Sequence, residues 1–246
     1  LKNFEITSRS YYNNTSQDYD STHESSSGPY FEKFTQAIFD FIKIPPHARV
    51  LEAGCGTGRF TLKLLNKGYE VFAIDYSQNS LSVLESKAKK LKLDGNLKTF
   101  CMPVESLSNK ELPLFDVVIG SYLLHHVYNP FLALKAMKKI AKPHTGLIVC
   151  IEPNPYNPMW YLQILLEKKI RWSIEKGMVK LPEPVLRSCY RKIGVQNMKI
   201  MNYGFFAPLF LNFMPSLFKA EFLISQVPIV KKILHTIVLK AYHDGG

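Results

Sequence analysis

The sequence predicts an α/β fold built on a nucleotide-binding strand–turn–helix unit, and three observations carry that prediction. Glycines stand at alternate positions, Gly54, Gly56 and Gly58, after the short apolar run Val50-Leu51 and before an amphipathic segment, Phe60 to Leu65. That order is strand, tight turn and helix, with a ligand held at the strand's C-terminal edge. Short apolar runs then alternate with stretches of helical periodicity along the chain, as a sheet covered by helices requires. One of these runs, Phe115 to Gly120, is almost wholly apolar and reads as a strand buried on both faces.

Size and composition bound the answer. A chain of 246 residues suits one α/β domain, or one domain with a modest lobe, and 46% hydrophobic content argues against wholesale disorder. Lys and Arg outnumber Asp and Glu by 31 to 20, a formal charge of +11 that suits an anionic partner or simply a basic solvated surface. Cys55, Cys101, Cys150 and Cys189 lack C-x-x-C spacing, which predicts a reducing, cytoplasmic setting and no zinc site. The N-terminal stretch has no basic region followed by an apolar core, so no secretory signal is expected.

The elements follow in order. Residues 1–28 are polar and read as loop. Phe31, Phe34, Ile38, Phe41 and Ile42 recur at helical spacing between Pro29 and the Pro45-Pro46 pair. Strands are expected at Ala48–Glu52, Tyr69–Ile74, Asn96–Phe100, Phe115–Gly120, Leu147–Ile151, Val195–Met201 and Thr236–Tyr242. Helices are expected at Arg59–Asn66, Gln78–Leu91, Phe131–Ala141, Met159–Trp172, Glu183–Lys192 and Phe222–Leu234, the last kinked near Pro228.

The glycine spacing narrows the ligand. A dinucleotide turn places its third glycine three residues after its second, where this chain has Arg59; a phosphate loop needs a Lys-Ser/Thr pair, which does not follow. The run Val50-Leu-Glu-Ala-Gly-Cys-Gly-Thr-Gly-Arg-Phe60, with Asp75 and the Leu114-Phe-Asp-Val-Val-Ile-Gly-Ser-Tyr-Leu-Leu-His-His-Val127 block, resembles the class I S-adenosylmethionine-dependent methyltransferases. The resemblance covers roughly residues 45–155. It implies a doubly wound, mostly parallel sheet of seven strands, the last running antiparallel between the fifth and sixth. It further implies an N-terminal segment and helix over the cofactor (1–44), a methyltransferase domain (45–246), and helical insertions at about 156–192 and 205–234 over the C-terminal strand edge.

Site roles come from the same resemblance. The donor is S-adenosylmethionine, the product S-adenosylhomocysteine, and no metal is expected. Asp75 would accept from the ribose hydroxyls and Tyr76 would lie against adenine, while Gly54, Cys55, Gly56 and Gly58 form the turn and Ser121, at the C-terminal end of the fourth strand, lies where cofactor and acceptor would meet. Glu52 would hold the methionine end; alternatively it anchors backbone N–H groups of the turn. Met102 would offer its backbone N–H and an apolar wall, or be core filling. Cys101 stands where many members have Asp, and a thiol is a poor acceptor. From the N-terminal segment, Tyr19 matches an element that covers the cofactor.

On the acceptor side, His126 and Glu152 are the candidate bases, with Asn154 as an orienting group; alternatively His126 is a packing or hydrogen-bonding histidine, and Glu152 binds an amine or belongs to a rigid scaffold turn with Pro153 and Pro155. Neighbouring His125 and His126 should point apart, and neither has the i, i+4 spacing or nearby third ligand of a metal pair. The acceptor is expected to be a small lipophilic or anionic molecule bearing a hydroxyl or amine. Nucleic acid is disfavoured, because the position after the fourth strand reads Ser121-Tyr-Leu-Leu124 rather than Asn/Asp-Pro-Pro-Tyr. A non-catalytic cofactor-binding subunit is the remaining alternative. Residues 200–218 carry no charge and many aromatics. Three readings stay open for them: an acceptor pocket or lid, a peripheral membrane contact helped by Lys219, Lys231 and Lys232, or else a subunit interface or plain core.

Overall fold

The computed structural model describes residues 10–11, 13–16, 28–167, 170–214 and 216–243. Its strands are β1 (Arg49–Ala53), β2 (Glu70–Asp75), β3 (Leu97–Cys101), β4 (Val117–Ser121), β5 (Leu147–Pro153), β6 (Met198–Tyr203) and β7 (Thr236–Tyr242). They form one sheet in the order β3-β2-β1-β4-β5-β7-β6. Central β1 is parallel to both neighbours, Leu51 lying opposite Phe72 on one side and Val118 on the other. Only β7 runs against the rest, antiparallel to β5 and β6. The doubly wound seven-stranded sheet is therefore as expected, including its reversed terminal strand.

Alternation along each strand divides the core into two apolar layers. Leu51, Phe72, Phe115 and Val118 pack with Leu134, Met137, Leu186 and Tyr190 on one face. Val50, Val71 and Val117 pack with Phe34, Ile38, Phe60 and Leu64 on the other. The covering helices are α1 (Pro29–Ile42), α2 (Arg59–Asn66), α3 (Gln78–Lys90), α4 (Pro130–Ile140), α5 (Pro158–Leu166), α6 (Trp172–Glu175), α7 (Glu183–Lys192), α8 (Pro208–Phe213) and α9 (Leu217–Gln226). Side-chain caps fix several starts. Ser77 accepts from Ser80 N for α3, Asn129 from Phe131 N and Leu132 N for α4, and Asn157 from Met159 N for α5.

Four elements differ from expectation, beginning with residues 10–11 and 13–15, which lie in the stretch expected as loop and are helical. The helix expected over Met159–Trp172 ends at Leu166, and α6 is separate. Its apolar residues lie all round rather than on one stripe, only Trp160 and Gln163 being buried, so composition overstated its length. The sixth strand starts at Met198, because the buried Val195 packs into the core before pairing with β7 begins. The Phe222–Leu234 helix is instead α9 followed by a 3₁₀ turn at Val230–Ile233, divided at Pro228.

The glycine turn depends on Gly58, which caps α2 at φ 87° and whose added Cβ would fall 2.2 Å from Leu84 Cδ1. Gly58→Ala should destabilise the fold by about 2–4 kcal/mol in urea unfolding, combining left-handed strain with overpacking. Gly95→Ala, where a Cβ meets open space, should change little. Equal effects at the two positions would contradict the packing described.

Candidate active site

At the donor end, backbone geometry does most of the positioning. Gly54 N and Cys55 N both donate to Ile74 O, at 2.8 and 3.0 Å, tying the turn to β2. Asp75 knits the turn to the next helix: its Oδ2 accepts from Gly56 N at 2.9 Å and its Oδ1 from Ser77 N at 2.8 Å. Burial raises the Asp75 pKa, opposed by those N–H groups and that of Tyr76. A Cβ on Gly54 would fall 2.7 Å from Leu123 Cδ1, so this glycine allows the β4 turn to close in. A Cβ on Gly56 would meet nothing within 4 Å, so this face of the turn is open to a ligand's close approach.

Glu52 is 2% exposed, and the Thr61 hydroxyl of α2 donates to its Oε2. Burial pushes its pKa up to about 8, with Thr61 opposing and Asp75 adding to the rise. Its bonded partner is thus a helix hydroxyl rather than the turn's N–H groups. Met102 departs from expectation: its backbone N–H donates to Asp75 O at 2.9 Å, and its side chain packs against the core. It has no free N–H for a ligand. Cys101 Sγ lies 3.6 Å from Tyr76 O. Tyr19 lies outside the described residues. Nearby Asn13 accepts from Ser77 Oγ at 2.6 Å, and its carbonyl accepts from Asn79 Nδ2 at 3.0 Å. The Tyr11 ring sits 5.6 Å from the Arg171 guanidinium. These contacts link the N-terminal segment to the tip of β2 and to the stretch before α6.

A single cleft with ≈ 1300 Å³ of unfilled space open to solvent joins this end to the tips of β4 and β7. Glu52, Gly54, Cys55, Gly56, Asp75, Tyr76, Ser121 and His126 line it; Gly58, Met102 and Glu152 do not. Glu152 corrects the expectation of a carboxylate in the acceptor mouth. It is fully buried, with Oε1 accepting from Leu123 N and Leu124 N at 3.1 and 2.7 Å and Oε2 lying 2.6 Å from His125 Nδ1. Asn154 is likewise spent on structure, its amide donating to Lys232 O and Leu234 O.

The two histidines do not point apart. Tyr122 adopts φ 51°, and the tight turn that follows brings the His125 and His126 rings to 3.8 Å between centroids. Nor is a third ligand absent: Glu175 of α6 brings Oε2 to 3.4 Å from His125 Nε2. Potential ligand atoms of His125, His126 and Glu175 all lie within 4.8 Å of one another, a set that could hold a metal ion. Burial would lower the His125 pKa, but the Glu152 and Glu175 carboxylates outweigh it and raise it to about 9. A ring so protonated has no lone pair for a base's work.

The aromatic stretch 200–218 contributes little to the cleft. Pro208 lines it, whereas Leu211 is buried in the core and Phe206, Leu217 and Phe218 pack half-buried against it. Phe213 and Met214 face outward. The apolar wall comes instead from Tyr30, Phe31, Phe34, Tyr122, Trp160, Ile170 and His235.

A family model described as a methyltransferase domain matches residues 44–177, just over half of the 246-residue chain. The chain belongs to the methyltransferase-domain family. The ubiquinone biosynthesis O-methyltransferase of Idiomarina loihiensis is 30% identical over 129 residues, 52% of this methyltransferase chain and 52% of that protein. The demethylmenaquinone methyltransferase of Bacillus subtilis is 30% identical over 147 residues, 56% of this chain and 59% of that one. The chain thus spans about half the length of the curated relatives it matches. Among solved structures, a possible histamine N-methyltransferase from Thermotoga maritima superposes with TM-score 0.65 at 15% identity, covering 96% of this chain and 99% of that one. Magnesium protoporphyrin IX methyltransferase from Synechocystis, solved with bound S-adenosylhomocysteine, gives 0.61 at 15%, covering 98% and 99%. At such identities the likeness is one of fold.

Trp160, Glu175 and His235 line the cleft without having been expected from the sequence. His235 had a usable signal: it directly precedes a reversed strand, whose start lies at the edge where the parallel strands end.

The protonation of His125 carries a pH signature. With a folded pKa of about 9 against 6.5, its stabilising contribution is complete below about pH 6.5 and is lost as pH rises through 9. Unfolding midpoints should therefore fall between pH 6.5 and 9 more steeply for the wild type than for His125→Gln; parallel curves would contradict the assignment.

Proposed function

We propose that this methyltransferase domain transfers a methyl group from S-adenosylmethionine to a hydroxyl or amine of a small lipophilic ring compound. One observation carries the reading: the glycine turn with Asp75, and the aromatic wall with His126, line the same cleft. The residues fit the donor. Open space at Gly56 suits close backbone approach, and each Asp75 oxygen, already holding one N–H, has a further lone pair for a ribose hydroxyl. Tyr76 lines the cleft beside it for the adenine, and buried Glu52 suits a cationic methionine end.

When bound, S-adenosylmethionine supplies an electrophilic methyl group on a positively charged sulfur. The chain's own task is alignment and proton removal. Phe34, Tyr122 and Trp160 hold the acceptor and exclude water, and a ring nitrogen of His126 takes the proton that the acceptor's hydroxyl or amine gives up. The acceptor class is supported by the wall's aromatic character and by the quinone-related names of the relatives. Arg59 is the one Lys or Arg among the described lining residues, which disfavours a polyanion such as RNA.

A lipophilic acceptor also favours work at a membrane surface. Phe213, Phe222, Leu223 and Ile229 are exposed beside Lys219, Lys231 and Lys232. No helix among the described residues is long and apolar enough to cross a membrane. Salt-sensitive sedimentation with anionic vesicles, weakened by Phe222→Ser/Leu223→Ser, is the expected result; no vesicle binding would reject this contact.

Calorimetry should detect S-adenosylmethionine binding that Asp75→Ala weakens at least tenfold. His126→Ala should lower turnover about 10²-fold or more while leaving that affinity within twofold. No binding to the wild type would sink the reading, and unchanged turnover in His126→Ala would remove the base.

A further inference from the structure

His235 is the one fully buried histidine in the cleft wall on the β7 side, and its Nε2 has no hydrogen-bond partner among the described residues. Everything else about it is fixed. Its backbone N–H donates to Gly204 O, and its carbonyl accepts from Asn154 N at 2.9 Å and from Trp160 Nε1 at 2.8 Å. The ring lies 4.2 Å from the Trp160 ring at 17°, a stacked pair, with Tyr30 edge-on at 6.4 Å. Its Nδ1 sits 3.1 Å from Thr236 Oγ1, which is itself 3.1 Å from the Tyr122 hydroxyl.

The segment holding this ring is stapled from outside the cleft. Asn154 donates to Lys232 O and Leu234 O, and Asn157 donates to Phe205 O and Ile233 O. A buried nitrogen without a partner is destabilising. Here the cost falls on a ring locked by stacking and by three backbone hydrogen bonds, in the wall of the site. Burial drives its pKa down to about 3, so the ring stays neutral at any physiological pH.

We infer that His235 Nε2 is the specificity contact for the acceptor, engaging an uncharged hydroxyl on a planar ring that packs among Trp160, Tyr122 and Phe34. The inference rests on the proposed methyl transfer and names the acceptor's chemistry. The hydroxyl follows from the Tyr122–Thr236–His235 chain. Whether that chain leaves Nε2 as donor or as acceptor, a hydroxyl, which both gives and takes, satisfies it. The absence of charge follows from the ring itself: a neutral imidazole offers an anion no countercharge at this contact. The contact sits at the β7 tip, across β1, β4 and β5 from Asp75 at the β2 tip, so it belongs to the acceptor end.

The test uses 2-naphthol, naphthalene and 2-naphthoate as probes, with equilibrium dialysis against the full chain and S-adenosylhomocysteine affinity measured alongside. His235→Phe keeps the ring stacked on Trp160 and removes the nitrogens. It should weaken 2-naphthol about tenfold while leaving naphthalene and S-adenosylhomocysteine within twofold. Wild-type protein should prefer 2-naphthol to 2-naphthoate by at least tenfold. In the wild-type chain, the His235 ring-nitrogen resonance should shift on adding 2-naphthol but not naphthalene, a reading that needs no variant to fold. Equal losses for both neutral probes, no loss, no wild-type binding of 2-naphthol, or a preference for 2-naphthoate would each overturn the inference. Failure of S-adenosylhomocysteine to bind would instead sink the methyl-transfer reading, while the naphthol comparison still decides His235.

Discussion

The buried carboxylate of Glu152 is the interaction on which the acceptor half of this molecule depends. At no measurable exposure, a carboxylate is tolerated only if its charge is shared, and breaking such a buried pair costs about 3–5 kcal/mol. Glu152 shares it with the Leu123 and Leu124 N–H groups and with His125. Those contacts draw the turn after β4 back onto the end of β5. The turn in turn carries Tyr122 and His126 into the cleft and lets Leu123 close over Gly54. His125 passes the constraint outward to Glu175, and Gly177 follows so closely that a Cβ there would lie 1.9 Å from the His125 carbonyl. The insertion after β5 is thereby seated on the turn.

Donor and acceptor ends are held by different means. Around the glycine turn the work is done by backbone: N–H groups of residues 54–56 reach the carbonyl of Ile74 and the carboxylate of Asp75, and the glycines give the room. At the acceptor end the work is done by side-chain amides reaching across the sequence. Asn154 and Asn157 fix a segment some 75–80 residues away, and that segment presents His235. The first arrangement suits a ligand recognised by its shape near the main chain. The second can be re-tuned by changing an insertion without disturbing the sheet.

This difference explains what the sequence revealed. Gly54, Gly56, Gly58 and Asp75 were legible because a left-handed turn and an acidic strand tip demand those residue types at short, fixed spacing. The strand order followed from the resemblance those residues carry. Glu152 was noticed but misplaced, since a carboxylate near the site reads the same whether it faces the cleft or braces it from behind. Met102 failed for a related reason: whether a backbone N–H is free depends on the neighbouring strand. Trp160 and Glu175 were invisible because only long-range packing brings them to the cleft, whereas His235 was readable from its place directly before the reversed strand. Residues 200–218 showed their apolarity plainly, but composition does not say which side chains turn inward, and Pro208 is the one that lines the cleft.

The central claim is that one cleft joins a methyl donor to a lipophilic ring acceptor. Its most direct test is transfer of labelled methyl from S-adenosylmethionine into fractionated cell pools of lipid-soluble small molecules, polar small molecules, protein and RNA. Label should appear in the lipid-soluble small-molecule pool and be lost on substituting Asp75. Label confined to RNA or protein, or no transfer to any pool, would contradict that claim.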